Sequence, residues 1–270
     1  MASEVLTRTL YGGLVTVVHN PNARGRQPRY LVNNEKKPKG VTTILGQTLN
    51  KDLMQWAVDC MAEYLGPLLP MVTESDLKNG ASEYKRRRDA GAGAGTEAHA
   101  MVEQFLKGGK PSIENASQEA RNAYGAFVTW FEQVKPEIIG VEEVIYSMTR
   151  DYAGTYDCML KIDDKVYLCD LKTTNASRKA PNGVYAENFL QLGAYASAHE
   201  ENRAHAEASG DTSIPKVEGL MVISARKDGS LAIATNEQVG VSVEECAETF
   251  NKVHDIYKFM SSVTTSLGGK

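Results

Sequence analysis

The stretch Gly154-Thr-Tyr-Asp157-Cys-Met-Leu-Lys-Ile162, then Asp163-Asp164, then Lys165-Val-Tyr-Leu-Cys-Asp170-Leu-Lys172-Thr173, decides how this chain folds. Two apolar-rich runs separated by two turn-forming residues read as an antiparallel hairpin. A two-residue turn sets Asp157 directly opposite Asp170, with Cβ atoms about 5 Å apart on one face. Side chains alternate along a strand, so Lys172 shares the face of Asp170 while Cys169 and Leu171 point the other way. Asp-Asp is a weaker hairpin signal than Asn-Gly, and a three-residue loop would shift the register by one.

A lone Asp-X-Lys is ordinarily a solvated strand face. Here Asp170 and Lys172 follow Val166, Tyr167, Leu168 and Cys169, an apolar run typical of a buried strand. Two carboxylates held that closely repel, and a bound cation with an ammonium nearby relieves the repulsion. Oxygen ligands at this density suit Mg2+ or Mn2+, ions that hold phosphate oxygens and activate water.

Upstream of the hairpin, Leu14 to Val18 and Arg29 to Val32 flank a turn-rich segment and suggest a ragged hairpin. A β-branched run from Val41 to Leu45 precedes a helical stretch from Lys51 to Leu65, with Leu53, Trp56 and Cys60 at helical spacing. A second helical stretch carries Lys85, Arg86, Arg87 and Arg88 and runs into Gly91, Gly93 and Gly95, which are expected to break it. Thr96 is then the expected N-cap of a helix through His99 to Leu106, and a further amphipathic helix spans Ser117 to Val134. Strands are expected at Ile138–Thr149, Gly154–Ile162 and Lys165–Thr173. After a polar loop with Arg178, Lys179 and Pro181 come a helix from Val184 to Glu200, strands at Val217–Ser224 and Leu231–Thr235, and a helix from Val243 to Met260. That order predicts an α/β fold: a mixed β-sheet core flanked by helices, with an N-terminal strand and helix extension over residues 1–94 and the core over residues 95–270.

The chain has 270 residues, 42% of them hydrophobic and 24% charged, an ordinary globular composition. No run approaches the roughly 20 apolar residues of a membrane span, so no membrane partner is expected. Cys60, Cys158, Cys169 and Cys246 show no CxxC pair and no ligand spacing, which argues against a zinc knuckle or an iron-sulfur cluster and fits a reducing, cytoplasmic setting. The formal net charge of -4 argues against a protein that coats nucleic acid by bulk electrostatics. Local charge differs: Arg8, Arg24, Arg26, Arg29, Lys36, Lys37 and Lys39 face only Glu4 and Glu35 before residue 40, and the Lys85 block is a second basic patch. Either could hold a phosphate backbone, and each taken alone reads equally well as a solvated surface.

Gly95-Thr-Glu-Ala-His99, Gly154-Thr-Tyr-Asp157, Asp170-Leu-Lys-Thr173 and Gln191-Leu-Gly-Ala-Tyr195 occur in that order. Together they resemble the PD-(D/E)XK nuclease superfamily, in particular its RecB-like branch of phage and mitochondrial-genome-maintenance-type exonucleases, over roughly residues 41 to 235. The resemblance implies a restriction-endonuclease-like core and a deoxyribonuclease using one or two Mg2+ or Mn2+ ions. His99, Asp157 and Asp170 would be metal ligands together with the backbone carbonyl of Leu171, and Lys172 would assist the nucleophile. Gln191 and Tyr195, one helical turn apart, would support the site or contact DNA, as would Thr96, Thr155 and Thr173. A site glutamate on the preceding strand matches Glu142 or Glu143; Glu142, sharing a face with Val144 and Tyr146, is preferred. The resemblance further implies exonuclease rather than endonuclease action, in phage DNA recombination, repair or degradation, on a single strand or duplex end. The N-terminal segment, packed over the cleft, is expected to steer a DNA end or single strand, and action together with a single-strand-annealing or recombinase partner stays open. Two other readings stay open: a partner-dependent endonuclease, and a non-catalytic protein that holds DNA ends or inhibits on the same fold.

Overall fold

Alternating buried positions at Val15, Val17 and His19 make a strand with one inward face. That strand, β2 (Val15–His19), lies between β1 (Leu6–Leu10) and β3 (Tyr30–Val32) in a small antiparallel sheet. β1 adds to the expected hairpin, its Leu6-Thr-Arg-Thr-Leu10 run holding only two apolar residues. This computed structural model describes residues 4–25, 27–49, 54–174 and 182–268, without the side chains of residues 91 and 92. Arg26, Lys51, Leu53, Arg178, Lys179 and Pro181 lie outside the described residues.

A two-residue strand, β4 (Lys39–Gly40), leads into helix α1 (Val41–Thr48). The β-branched run thus forms a helix: Val41, Ile44 and Leu45 are all buried, and tertiary burial overrides their modest local preference. Helix α2 (Met54–Leu65) packs along α3 (Glu74–Leu106) as a helical hairpin, and α4 (Gln118–Val134) follows with Ser117 as its N-cap. Here the structure corrects the sequence. α3 is one helix of 33 residues, capped by Thr73 with a reciprocal bond to Asp76, and Thr96 lies within it. Each glycine costs roughly 1 kcal/mol in a helix, but Ala94 and Ala98 are buried and Gly95 lies against Thr173, so small residues let α3 lie close over the sheet. The sequence-derived boundary at residue 94 therefore falls inside a continuous helix.

The main sheet is formed by β5 (Glu137–Ser147), β6 (Tyr152–Ile162), β7 (Lys165–Thr174), β8 (Gly219–Arg226) and β9 (Leu231–Thr235), with β4 added. β7 and β8 are parallel, as are β4 and β6; the other pairs are antiparallel, giving a mixed sheet. Helices α5 (Ala186–Ala208) and α6 (Val243–Ser266) cover one face; α4 and the C-terminal half of α3 cover the other. On the first face Leu168, Leu192, Leu220, Val222 and Phe250 are fully buried, each worth roughly 1.5–3 kcal/mol. A Cβ at Gly193 would meet the backbone at Cys246, so this glycine sets the closeness of α5 and α6. The architecture is the expected one, a mixed sheet flanked by helices. Among the described residues, no helix is long and apolar enough to cross a membrane.

The hairpin forms in the expected register as far as Cys158–Cys169, but the expected facing pair of Asp157 and Asp170 does not form, because the strands part before it. Asp163 and Asp164 both adopt positive φ (48 and 65), the mirror-image turn that suits strand twist. Pairing runs from Ile162–Lys165 to Cys158–Cys169 and then stops. Beyond that point the strands part, and the edge of β6 that β7 leaves is taken at Tyr152 and Ala153 by β4. Asp157 and Asp170 stand at the crotch of this fork.

Candidate active site

Asp157 fills the gap where the ladder ends. Its Oδ2 accepts the Leu171 backbone N–H at 2.6 Å, a side chain taking the place of a strand. The kink also reverses alternation: Tyr156 packs on the α5 side of the sheet and Cys158 on the α3 side. Asp157 Oδ1 lies 3.8 Å from Nδ1 of His99 on α3.

Asp170 is 2% exposed, on the α5 side. Its Oδ1 accepts from Lys172 Nζ at 2.6 Å and from Gln191 Nε2 at 2.9 Å, and its Oδ2 is buried with no hydrogen-bond partner. Burial pushes this carboxyl up to about 6; Lys172 opposes the shift and Asp157 adds to it. Burial pulls Lys172 down, yet Asp170 and Asp157 outweigh it, and the ammonium ends above its ordinary range. Gln191 lies 3.1 Å from the Tyr195 hydroxyl, one turn on along α5. A Cβ at Gly154 would collide with the Tyr195 ring, which explains why a glycine begins that motif.

The fork is also acidic toward α3. Glu142 sits at φ 53 in β5, outside regular strand geometry, and burial with the nearby Asp157 and Glu103 pushes it up to about 8. Glu143 is elsewhere, tied to Arg8 at 2.6 Å and to the Tyr156 hydroxyl at 2.5 Å. Their placement separates the two glutamates the sequence left open, although the left-handed φ, not the face shared with Val144 and Tyr146, turns Glu142 inward. His99, Glu103, Glu142, Asp157 and Leu171 line one recess. Glu103 was missed by sequence reasoning; its position four residues after His99, on the same face of α3, was the available signal. Thr173 lies at the site with its hydroxyl buried and unpartnered, Thr155 is bonded to the small sheet, and Thr96 is exposed on α3 three residues before His99.

Carboxylates, an imidazole and a strand carbonyl form the donor set of a hard divalent cation. The buried, unpartnered Asp170 Oδ2 is an acceptor of the kind such an ion satisfies. The residues fit the ion in kind. Among the described residues, no three His, Cys, Asp or Glu side chains already close on one point, so the donors are adjacent rather than assembled. The four cysteines are buried free thiols.

No family model matches this chain. No curated protein matches it either. Among solved structures it is similar to the alkaline exonuclease LHK-Exo of Laribacter hongkongensis, at 11% identity and a TM-score of 0.28, over 79% of this chain and 99% of that one. The complex of LHK-Exo with dAMP gives the same values. A protein named SSO0001 is 12% identical with a TM-score of 0.27, over 76% of this chain and 88% of that one. Likeness at this level carries no argument, and the functional reading rests on the fork.

Proposed function

We propose that this chain is a divalent-metal-dependent deoxyribonuclease of the RecB-like kind, acting as an exonuclease on a DNA strand or duplex end. The carrying observation is Asp170: a buried carboxylate gripped by Lys172 and Gln191, with one oxygen left unpartnered, beside Asp157 at the fork. His99, Asp157, Asp170 and the Leu171 carbonyl would hold Mg2+ or Mn2+, with Glu142 at the rim. Such an ion polarises a phosphodiester and lowers the pKa of water.

The chain's own groups supply the rest. Lys172, kept protonated by Asp170 and Asp157, places a positive charge where the pentavalent phosphate gains negative charge. Gln191 and Tyr195 fix the Asp170 rotamer from behind. Without the ion, burial with Asp157 and Glu103 nearby keeps Glu142 protonated through neutral pH at the edge of the recess. The small N-terminal sheet and the α2–α3 hairpin would guide the strand, and a recombinase or single-strand-annealing partner in phage DNA recombination or repair is the biological setting we propose.

The test is cleavage of end-labelled linear and circular DNA, single- and double-stranded, by wild type and Asp170→Ala in Mg2+, Mn2+ or EDTA. Metal-dependent loss of linear but not circular DNA, abolished by the substitution, is the expected result. Circular DNA cut equally well would make it an endonuclease. Equal cleavage by the variant or in EDTA would sink the site assignment, and tight binding without cleavage under every metal would favour a DNA-end-holding role.

A further inference from the structure

Of the two basic segments, the one around Lys85 is largely neutralised. Arg86 pairs with Glu83, Arg87 with Glu63 and Glu83, and Arg88 with Asp89. Arg29, beside β3, is exposed and among the described residues makes no ion pair with a carboxylate. It is held in another way.

The His19 ring, 5% exposed, stacks on Tyr30 at a centroid distance of 4.7 Å and an interplanar angle of 14°. Arg29 Nε donates to His19 Nε2 at 3.4 Å. A ring nitrogen that accepts carries no proton, so the neutral imidazole has its proton on Nδ1, which donates to Thr155 Oγ1 at 3.2 Å. Burial, reinforced by Arg29, lowers His19 to about 4 and keeps the ring neutral. The Tyr30 hydroxyl reaches the same Thr155 oxygen at 3.3 Å. Thr155 is two residues before Asp157, about 7 Å along β6. A guanidinium is thereby tied through two rings and a hydroxyl to the strand bearing the site aspartate, close enough that its charge is felt at Glu142. Its Nε is engaged by His19, the residue as a whole is exposed, and a planar guanidinium suits two phosphate oxygens.

We propose that Arg29 clamps a phosphodiester of the substrate strand adjacent to the one being cut, with His19 and Tyr30 as positioning residues. This rests on the nuclease reading above and adds which element grips the strand. An acidic site repels DNA, and a fixed cation at its edge offsets that repulsion where register matters.

The experiment measures anisotropy of a labelled single-stranded oligonucleotide of about twelve nucleotides against salt, using the full-length Asp170→Asn chain in Mg2+. Arg29 is kept, or changed by Arg29→Ala or Arg29→Lys, and a further chain carries His19→Phe; KM and kcat are read in the otherwise wild-type chain. Arg29→Ala should weaken binding about tenfold, reduce the salt slope by about 0.7, and raise KM more than it lowers kcat. Arg29→Lys should keep the slope and lose most of the affinity. His19→Phe, which preserves the stack, should keep the slope and weaken binding about threefold, because the cation is present but no longer aimed. Unchanged affinity and slope in Arg29→Ala, with a parent chain that binds DNA, would overturn the clamp and leave the nuclease reading intact. A parent that does not bind DNA, together with a wild-type chain that does not cut it, overturns both.

Discussion

The two halves of the β6–β7 hairpin share one sequence stretch and have opposite characters. From Cys158 to Cys169, around the turn, the strands are fully paired, and Met159, Leu160 and Leu168 are no more than 1% exposed. On the other side of that pair the ladder stops, Asp157 bridges the gap to the Leu171 backbone, and Asp170 is held by Lys172 beside it. The paired half removes apolar surface from water and holds its polar backbone in a ladder. The forked half buries charge at a cost, with one carboxylate oxygen unsatisfied. Apolar burial and clustered charge are thus separated by a few residues along one hairpin.

That contrast is sharpest at Asp170. Asp170→Asn should lower metal-dependent cleavage by about a thousandfold or more, while the melting temperature of the metal-free chain stays level or rises, because a buried negative charge is removed. A lower melting temperature, measured by calorimetry in EDTA, would mean that the forked half is structural. Leu160→Ala probes the paired half and should cost about 3 kcal/mol in denaturant unfolding, with cleavage per folded molecule held within about threefold. A collapse of cleavage in the folded fraction would break the division.

A pH series follows from the raised carboxyls. Asp170, at about 6, and Glu142, at about 8, bind protons more tightly folded than unfolded. Their stabilising share is complete below pH ~4 and is lost as pH rises through those two values. The metal-free chain should therefore lose on the order of 5 kcal/mol between pH 5 and 8, and Mg2+ should restore more at pH 8 than at pH 5. Thermal melts with and without EDTA decide this, and a flat profile would contradict it. The smallest effect belongs at the paired end, where Lys165 and Glu237 meet half-exposed. Glu237→Gln should change unfolding free energy by less than about 1 kcal/mol.

The paired half was legible because period two and a two-residue turn fix which side chains face each other there, and the same reading brought Asp157 near Asp170 without revealing that the strands part before them. The turn, the register and the helix pair of Gln191 and Tyr195 all follow from local spacing. Glu142 was harder: its inward aim comes from a left-handed φ at an irregular strand position, which alternation alone does not reveal. Glu103 and Arg29 were harder still. Glu103 joins the recess only because α3 crosses the sheet at His99, and Arg29 stands apart from Arg87 because Arg87 is held both by Glu83 one turn away and by Glu63 on the neighbouring helix. The glycines of residues 91–95 misled for a related reason: breaking power is a local property, and buried Ala94 and Ala98 anchor the helix from outside that window.

That unbroken helix makes α3 a lever. From Glu74 to His99 it spans about 37 Å at 1.5 Å per residue, and it bears the outer hairpin at one end and a site histidine toward the other. A tilt of about 5° at the sheet would swing the far tip by about 3 Å. Read in reverse, a load on the outer arm is geared down to a displacement of tenths of an ångström at His99, where the helix meets the sheet.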